Sequence, residues 1–212
     1  MSAIAEAIAS IKARAQRATL IAVSKTRSVE EIGAALAAGQ RIFGENRVQE
    51  ARAKFPLLRE TYPDIELHLI GPLQTNKALA AVELFDVIQT LDRPQLADAL
   101  AKAIKKSGKT PRFFIEVNTG DEPQKAGISL GQLAPFLSYC RDICGLPVIG
   151  LMCIPPQGRD PSPFFLMLRD AAQNLKLPHI SMGMSGDFET AVACGATDIR
   201  VGAAIFGDRK TP

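Results

Sequence analysis

The sequence is poor in aromatic residues, and its charges nearly balance. Of its 212 residues 6% are aromatic, with no tryptophan and two tyrosines, and the net charge is +3. So small and dispersed a charge does not indicate a nucleic-acid-binding protein. No window holds the roughly 18 uncharged apolar residues that a membrane-spanning helix requires. We therefore expect neither a nucleic acid nor a membrane among its partners.

The sequence also lacks the residue sets of two common kinds of site. It has no GxxxxGK[ST] motif, so a P-loop is excluded. Its four cysteines are accompanied by no second close Cys or His pair, so no zinc site is predicted. Free buried thiols in a reducing cytosol explain the cysteines better, and we expect a cytoplasmic protein. Residues 1–17, charged and alanine-rich, predict an amphipathic helix and not a signal peptide.

What the sequence does contain is a regular alternation of short apolar strands and alanine- and leucine-rich helices. The predicted strands are 20–25, 41–45, 67–72, 87–91, 113–118, 148–154, 179–184 and 199–206. The predicted helices between them are 28–38, 47–60, 76–84, 94–107, 129–144, 162–175 and 187–194. Eight strands joined by helices are typical of a (β/α)8 TIM barrel, whereas an open doubly wound sheet usually has fewer strands. We therefore predict an α/β fold, a single TIM-barrel domain over residues 1–212 with an extra N-terminal helix.

Lys25 is the last residue of the first predicted strand. The apolar run from Leu20 to Val23 changes abruptly into the polar sequence Ser-Lys-Thr. The active sites of TIM barrels lie at the C-terminal ends of the strands, which is where Lys25 would stand. A lysine in a protected pocket can act as a nucleophilic amine and form a Schiff base with an aldehyde. The alternative is a lysine whose stem lies on the barrel rim and whose head reaches water.

A second candidate site follows the seventh and eighth strands, where TIM barrels commonly bind phosphate. The segment GMSGD at 183–187 has glycines that let backbone N–H groups approach a ligand, and Ser185 adds a hydroxyl. The candidate phosphate contacts are Gly183, Ser185, Gly186 and Gly202. Ser185 and Asp187 could equally be no more than an N-cap and a first-turn acid of the next helix.

Arg200 lies in the last predicted strand, on the same face as Gly202. A guanidinium buried on either face of a barrel strand is costly unless it is paired. An anionic ligand, or one with a nitrogen acceptor, would supply a partner at the mouth of the barrel. A carboxylate such as Asp198 or Asp208 would do so equally well.

An amine after strand one, a phosphate site after strand seven and an arginine on strand eight form a recognisable set. With it, the chain resembles the pyridoxal phosphate homeostasis proteins, single-domain relatives of the alanine racemase barrel. Six ordered motifs contribute to the resemblance over essentially the whole chain. They are AVSKT at 22–26, FGEN at 43–46 with VQE at 48–50, HLIGPLQTNK at 68–77, GLM at 150–152, SMGMS at 181–185 with Asp187, and RVG at 200–202 with AIFG at 204–207.

The resemblance implies that the chain binds pyridoxal 5′-phosphate as a Schiff base on Lys25. It places Arg200 at the pyridine nitrogen and the phosphate on the segments at 185–186 and 202–203. The cofactor-binding residues that it implies are Lys25, Asn46, Asn76, Met182, Ser185, Gly186, Arg200, Gly202 and Ala203. Family members commonly have Thr or Ser where Ala203 stands, so one hydroxyl contact, worth about 1 kcal/mol, is missing.

The resemblance also implies a function, namely maintaining the intracellular supply of pyridoxal phosphate without established catalysis. Such a protein would be a monomer or weak dimer, and pyridoxal-phosphate-dependent apoenzymes would be its recipients. Alanine racemases place a tyrosine opposite the lysine, but Tyr62 and Tyr139 fall at no strand end here, so we predict no catalytic residue. A low-efficiency amino-acid racemase and a cofactor-free Schiff-base aldolase are the alternatives. Lys77 and Lys125 are alternative attachment sites.

The two histidines give no indication of catalysis. His68 and His179 fall near the starts of predicted strands, the end of a TIM barrel where residues usually serve stability. We interpret both as structural residues.

Overall fold

The computed structural model describes residues 2–207, and in it eight parallel strands close into one barrel. Each strand pairs with the next along the chain, and the last pairs with the first, with Thr19 opposite Asp198. The strands are β1 (Thr19–Val23), β2 (Ile42–Glu45), β3 (Glu66–Leu69), β4 (Val87–Leu91), β5 (Arg112–Glu116), β6 (Val148–Met152), β7 (His179–Ser181) and β8 (Asp198–Val201). The predicted TIM-barrel fold is confirmed.

The helices form the outer layer of the barrel. They are α1 (Ala3–Ala15), α2 (Val29–Ala37), α3 (Val48–Thr61), α4 (Ala78–Leu84), α5 (Pro94–Ser107), α6 (Leu133–Ser138), α7 (Ser162–Asn174), α8 (Phe188–Ala193) and α9 (Ala203–Phe206). Local signals set several ends: Ser28 and Glu31 form a capping box at the start of α2, and Gly108 ends α5 in the left-handed conformation. No helix within residues 2–207 is long and apolar enough to cross a membrane.

Helix α1 covers the seam between the first and last strands. Helix α9, which follows β8, has only four residues and is too short to do so. Instead α1 packs against β1, α2, α8 and α9, with Ile8, Ile11 and Ala15 buried. The predicted N-terminal helix therefore completes the outer ring.

The interior of the barrel holds both apolar and polar side chains. Val87, Phe114 and Met152 form a small buried cluster separate from the main core, which lies between strands and helices. Because side chains alternate along a strand, Gln89 shares the inner face of β4 with Val87. Gln89, His68 and Arg200 are all almost fully buried, so polar groups are part of this interior as well.

Six strands end earlier than the sequence analysis predicted: β8 by five residues, β3 and β7 by three, and β1, β5 and β6 by two. Strand β7 stops at Ser181 and not at residue 184, and the backbone then turns through Gly183, whose φ is 89°. Strand β8 stops at Val201, and residues 203–206 form α9, whose first hydrogen bonds run to the carbonyl of Gly202. The prediction was wrong for 203–206 because a short apolar run does not distinguish strand from helix.

The predicted helix over 129–144 is broken into three parts. A 3-10 turn at Leu130–Gln132 precedes α6, and a π-helical turn at Tyr139–Ile143 follows it. The N–H of Cys144 donates to the carbonyl of Tyr139, five residues back, which widens this last turn.

All four cysteines are free thiols, and Cys144 is the one that is only partly buried.

Gly150 in β6 offers a test of the interior packing. A Cβ at this position would lie 2.4 Å from the carbonyl oxygen of His179 and 2.7 Å from the ring of Phe114. We expect Gly150→Ala to lower the free energy of unfolding by about 1–3 kcal/mol, the usual cost of overpacking.

The matched control is Gly33→Ala in helix α2, where a Cβ meets nothing within 4 Å. This change should raise stability by about 0.5–1 kcal/mol, because alanine is the better helix former. Both values come from urea denaturation followed by circular dichroism. Equal effects of the two substitutions would contradict the packing described for Gly150.

Candidate functional site

A cavity of about 190 Å³ opens at the C-terminal ends of the strands, and we call it the mouth cavity. Six of its lining residues are among the predicted site residues: Lys25, Asn46, Ser185, Arg200, Gly202 and Ala203. Its remaining lining residues are apolar: Val23, Ile70, Ile154 and Met184. Closure of the barrel thus brings the amine after β1 next to the loops after β7 and β8.

One side of the mouth cavity is rich in hydrogen-bond donors. The hydroxyl of Ser185 accepts from the N–H groups of Gly202 at 3.3 Å and Ala204 at 3.4 Å. A Cβ at Gly202 would lie 3.2 Å from the carbonyl oxygen of Val23, so this close approach of β8 to β1 favours glycine. The lining residues in the described chain include no carboxylate. A hydroxyl beside backbone amides in such surroundings can bind an anion.

Arg200 forms the inner wall of the cavity and is 4% exposed. Its guanidinium donates to Ser181 Oγ at 2.7 Å and to the carbonyl of Cys153 at 2.8 Å. Asp198, one of the carboxylates considered as its partner, instead contacts Thr197 and His179. Asp208, the other, lies outside the described residues. Burial lowers the pKa of Arg200, but a guanidinium remains protonated, so a fixed positive charge borders the cavity.

A chain of hydrogen bonds connects Arg200 to the opposite end of the barrel. Ser181 donates to Gln89 Oε1 at 2.7 Å, and the Gln89 amide nitrogen lies 2.8 Å from Nδ1 of His68. Nε2 of His68 lies 2.6 Å from Glu66, whose pKa this bond lowers to about 2. The amide can only donate and the carboxylate can only accept, so His68 is the Nε2–H tautomer.

We call this chain of hydrogen bonds, from Arg200 to Glu66, the relay. It gives His68 a structural role that the sequence did not indicate. His68 is 2% exposed and lies inside the barrel, where it supports the residues that hold Arg200. His179 is the first residue of β7, as expected, and its ring lies 3.5 Å from Asp198. Both are structural residues, but only His68 is connected to the mouth cavity through described hydrogen bonds.

The turn that presents Lys25 is fixed by buried charges. Nζ of Lys54 lies 2.7 Å from Glu45 and 2.8 Å from Glu50, and it donates to the carbonyl of Ser24 at 3.0 Å. Glu50 in turn accepts from the N–H of Thr26, which has a positive φ of 63°. Because both neighbours of Lys25 are held in this way, its place on the rim is set by helix α3.

Three of the predicted site residues lie outside the lining of the mouth cavity. Asn76 is exposed on the turn before α4, and Met182 is buried in the core just after β7. Gly186 borders a neighbouring cavity together with Asp187. The carboxylate of Asp187 stands at the N-cap position of α8 but accepts from the N–H of Met184 at 2.6 Å, which fixes the turn. That these three residues contact a cofactor stays a prediction.

Sequence reasoning missed the apolar walls and two buried acids. Ile70 and Ile154 line the cavity, but isolated apolar residues after strands give no signal of a ligand. Glu116 ends β5, and burial together with repulsion by Asp92 raises its pKa to about 7, an effect that Arg200 opposes. Glu45 is fully buried beside Lys54, and burial raises its pKa as well. Glu45 is the last residue of the predicted strand 41–45, and Glu116 lies two residues before the end of the predicted strand 113–118. Their places near strand ends were the available signal, but the sequence assigned them no role.

The comparisons with known proteins first define a class. A family model described as the alanine racemase N-terminal domain matches residues 1–210. The solved alanine racemase of Corynebacterium glutamicum matches with a TM-score of 0.75 and 21% identity, over 97% of this chain and 61% of that chain. At this identity the likeness concerns the fold alone. The chain is a barrel of the alanine racemase N-terminal type.

More similar relatives narrow the class to one family. The "Pyridoxal phosphate homeostasis protein" of Aquifex aeolicus is 40% identical over 202 residues, covering 91% of this chain and 88% of that protein. Its namesake in Vibrio cholerae is 42% identical over 200 residues, covering 90% and 85%. The structure of PipY from Synechococcus elongatus without PLP has a TM-score of 0.89 and 41% identity, over 96% of this chain and 100% of that chain. The chain belongs to the pyridoxal phosphate homeostasis protein family.

Lys54 allows a test of the turn around Lys25. Lys54→Met removes the cation between two carboxylates, of which Glu45 is fully buried and has one oxygen, Oε2, without a hydrogen-bond partner among residues 2–207. We expect a loss of about 3–5 kcal/mol in the free energy of unfolding, because an uncompensated buried charge remains. Arg52→Gln breaks the exposed pair with Glu83 and should cost less than about 1 kcal/mol. Similar losses in urea denaturation would show that the Lys54 pairs contribute little.

Glu116 should make stability depend on pH. Its folded-state pKa is raised from 4.5 to about 7, so its stabilising contribution is complete below about pH 4.5 and is lost as the pH rises through 7. Glu116→Gln should therefore become more stable relative to the wild type as the pH rises, by on the order of 3 kcal/mol between about pH 5 and 9. Urea denaturation across this range measures the difference. The exposed Glu60→Gln is the control, and a parallel pH profile for both variants would contradict the burial of Glu116.

Proposed function

We propose that this chain binds pyridoxal 5′-phosphate in the mouth cavity and maintains its supply in the cell. The observation that supports this most directly is the meeting of Lys25, the donor group around Ser185 and the charge of Arg200 in one cavity. The relative PipY, 39% identical over 96% of this chain, has been solved "with PLP bound". Several curated relatives are named for pyridoxal phosphate homeostasis.

The residues of the cavity fit the chemical groups of this cofactor. Ser185 and the backbone amides of Gly202 and Ala204, on either side of Ala203, offer donors to a phosphate, and Gly186 lies in the adjoining turn. Asn46 has a buried side-chain oxygen, Oδ1, without a hydrogen-bond partner in the described structure, so it can accept a bond from a ligand. When bound, pyridoxal phosphate supplies an aldehyde that a primary amine attacks. Lys25 is the amine among the lining residues.

Arg200 would affect the electronic properties of the bound cofactor. In the proposed complex its guanidinium would lie beside the pyridine nitrogen, and a fixed positive charge there disfavours protonation of that nitrogen. An unprotonated ring is a weaker electron sink than a protonated one. The relay through Ser181 and His68 holds the guanidinium in its place.

The tyrosines also favour a carrier over the alternative, a low-efficiency amino-acid racemase. Tyr139 donates to Asp98 at 2.6 Å, and Tyr62 lies beneath the guanidinium of Arg41. Among the residues of 2–207 that line the mouth cavity, Lys25 and Arg200 have ionisable side chains, and a guanidinium does not release its proton. A racemase needs an acid or base on each face of the ring. We infer that the protein is not an efficient enzyme.

The proposal extends to the setting in which the protein acts. Residues 1–212 would form one domain that binds the cofactor, as a monomer or weak dimer in the cytoplasm. The four free thiols support a reducing compartment. Pyridoxal-phosphate-dependent apoenzymes would receive the cofactor.

The test is borohydride reduction of the protein after incubation with pyridoxal phosphate, followed by peptide mass mapping. We expect a pyridoxyl group on Lys25, and a yellow absorbance that Lys25→Ala abolishes because the attachment needs its amine. Lys77→Ala and Lys125→Ala are controls that should keep the colour. A colourless wild type, or a label on another lysine, would contradict the proposal. Rapid racemisation of free amino acids by the loaded protein would favour the racemase.

A further inference from the structure

A second cavity, of about 580 Å³, lies beside the mouth cavity on the rim of the barrel. It is formed by the segments that follow β2, β3 and β4, and we call it the cationic cleft. Its charged lining residues are Arg47, Lys77 and Arg93, and no carboxylate is among the lining residues in the described chain. Asn46 borders both cavities.

Two of the three charges form no ion pair within the part of the chain that the structure describes. Arg93 contacts Asp92 at 2.5 Å and donates to the carbonyl of Leu73 at 2.8 Å, so its guanidinium is held in place. Within residues 2–207, no carboxylate forms an ion pair with Arg47 or Lys77. The nearest acids in sequence to Arg47 are Glu45 and Glu50, and both bind Lys54. Glu50 also accepts from the N–H of Thr26, and the charge of Arg47 acts on it without forming an ion pair. The cleft therefore has a positive charge that the described chain neutralises only in part.

The arginines occupy positions where a positive charge is unfavourable. Arg47 is the N-cap residue of α3 and Arg93 that of α5, and each of these helices has 14 residues. Neither helix start has a side-chain cap in the described structure, and helix N-termini favour negative charge. The first intrahelical bond of α3 is donated by Ala51, so the N–H groups of Val48 and Gln49 precede it, and both residues line the cleft. An anion in the cleft would relieve these repulsions.

We propose that the cationic cleft binds a small dianion, with phosphate or paired carboxylate groups. Lys77 and Arg47 would neutralise its charge, and the amides of Val48 and Gln49 would donate to its oxygens. This site is distinct from the mouth cavity, with which it shares Asn46. It does not require that pyridoxal phosphate bind on Lys25.

The test follows backbone amide resonances of isotope-labelled protein by nuclear magnetic resonance. Inorganic phosphate and succinate are the two probes, titrated separately at constant ionic strength. We expect saturable shifts at Val48 and Gln49, and the probe that saturates at the lower concentration identifies the chemistry of the ligand. Because the signal comes from the amides of Val48 and Gln49, binding in the cleft is distinguished from phosphate binding near Ser185 in the mouth cavity.

The double variant Arg47→Gln/Lys77→Gln should bind the preferred probe at least about tenfold more weakly, because both unpaired charges are lost. The control Lys102→Gln/Lys105→Gln removes the same charge from α5 far from its N-terminus, and its affinity should change less than about twofold. Thermal unfolding without anions checks folding: the cleft variant should be as stable as the wild type or more so, because a repulsion is removed.

Three results would overturn the proposal. They are no saturable shift with either probe, equal affinity in the cleft variant and the wild type, and an equal loss in the control variant. Each is independent of whether Lys25 is labelled by borohydride, so failure here leaves the cofactor proposal intact.

Discussion

The structure depends on one constraint, the pairing of the first strand with the last. The ladder from Thr19 opposite Asp198 to Ala22 opposite Val201 closes the barrel. Lys25 and the Ser185 and Gly202 segments come from opposite ends of the chain, and they share a cavity because of that ladder. Interior polar groups such as Gln89 also reach their partners on distant strands for this reason. An open sheet with the same helices and strands would leave these groups apart.

Two buried polar networks support the mouth from different sides. The network around Lys54 fixes the turn after β1, and the relay from Glu66 to Arg200 fixes the arginine on β8. A buried ion pair contributes little net stability, but removing one partner is costly, so such networks resist any rearrangement. The result is that the backbone around Lys25 and the guanidinium of Arg200 have set positions before a ligand arrives. Preorganisation of this kind reduces the entropy lost on binding.

Much of the fold and the centre of the site could be predicted because they depend on local patterns. Short apolar runs separated by alanine-rich segments gave the number of strands, and the polar residue after each run indicated the rim. The burial of Lys54 could not be predicted, since a lysine in an amphipathic helix usually faces solvent. Its burial depends on Glu45, from another element. Residues 203–206 were mistaken for strand because an apolar tetrapeptide fits both structures.

The position of α1 has a consequence for synthesis of the protein. This helix precedes all eight strands in the chain, yet its apolar side, with Ile8 and Ile11, rests against α8, α9 and β1 across a seam completed by β8. During synthesis on the ribosome, that side is therefore covered only after β8 and α9 have been made. Until then the helix exposes an apolar surface to other chains, so binding by a chaperone early in synthesis would be advantageous. Helix α1 is thus translated before the strands of the barrel but is among the last elements to reach its final contacts.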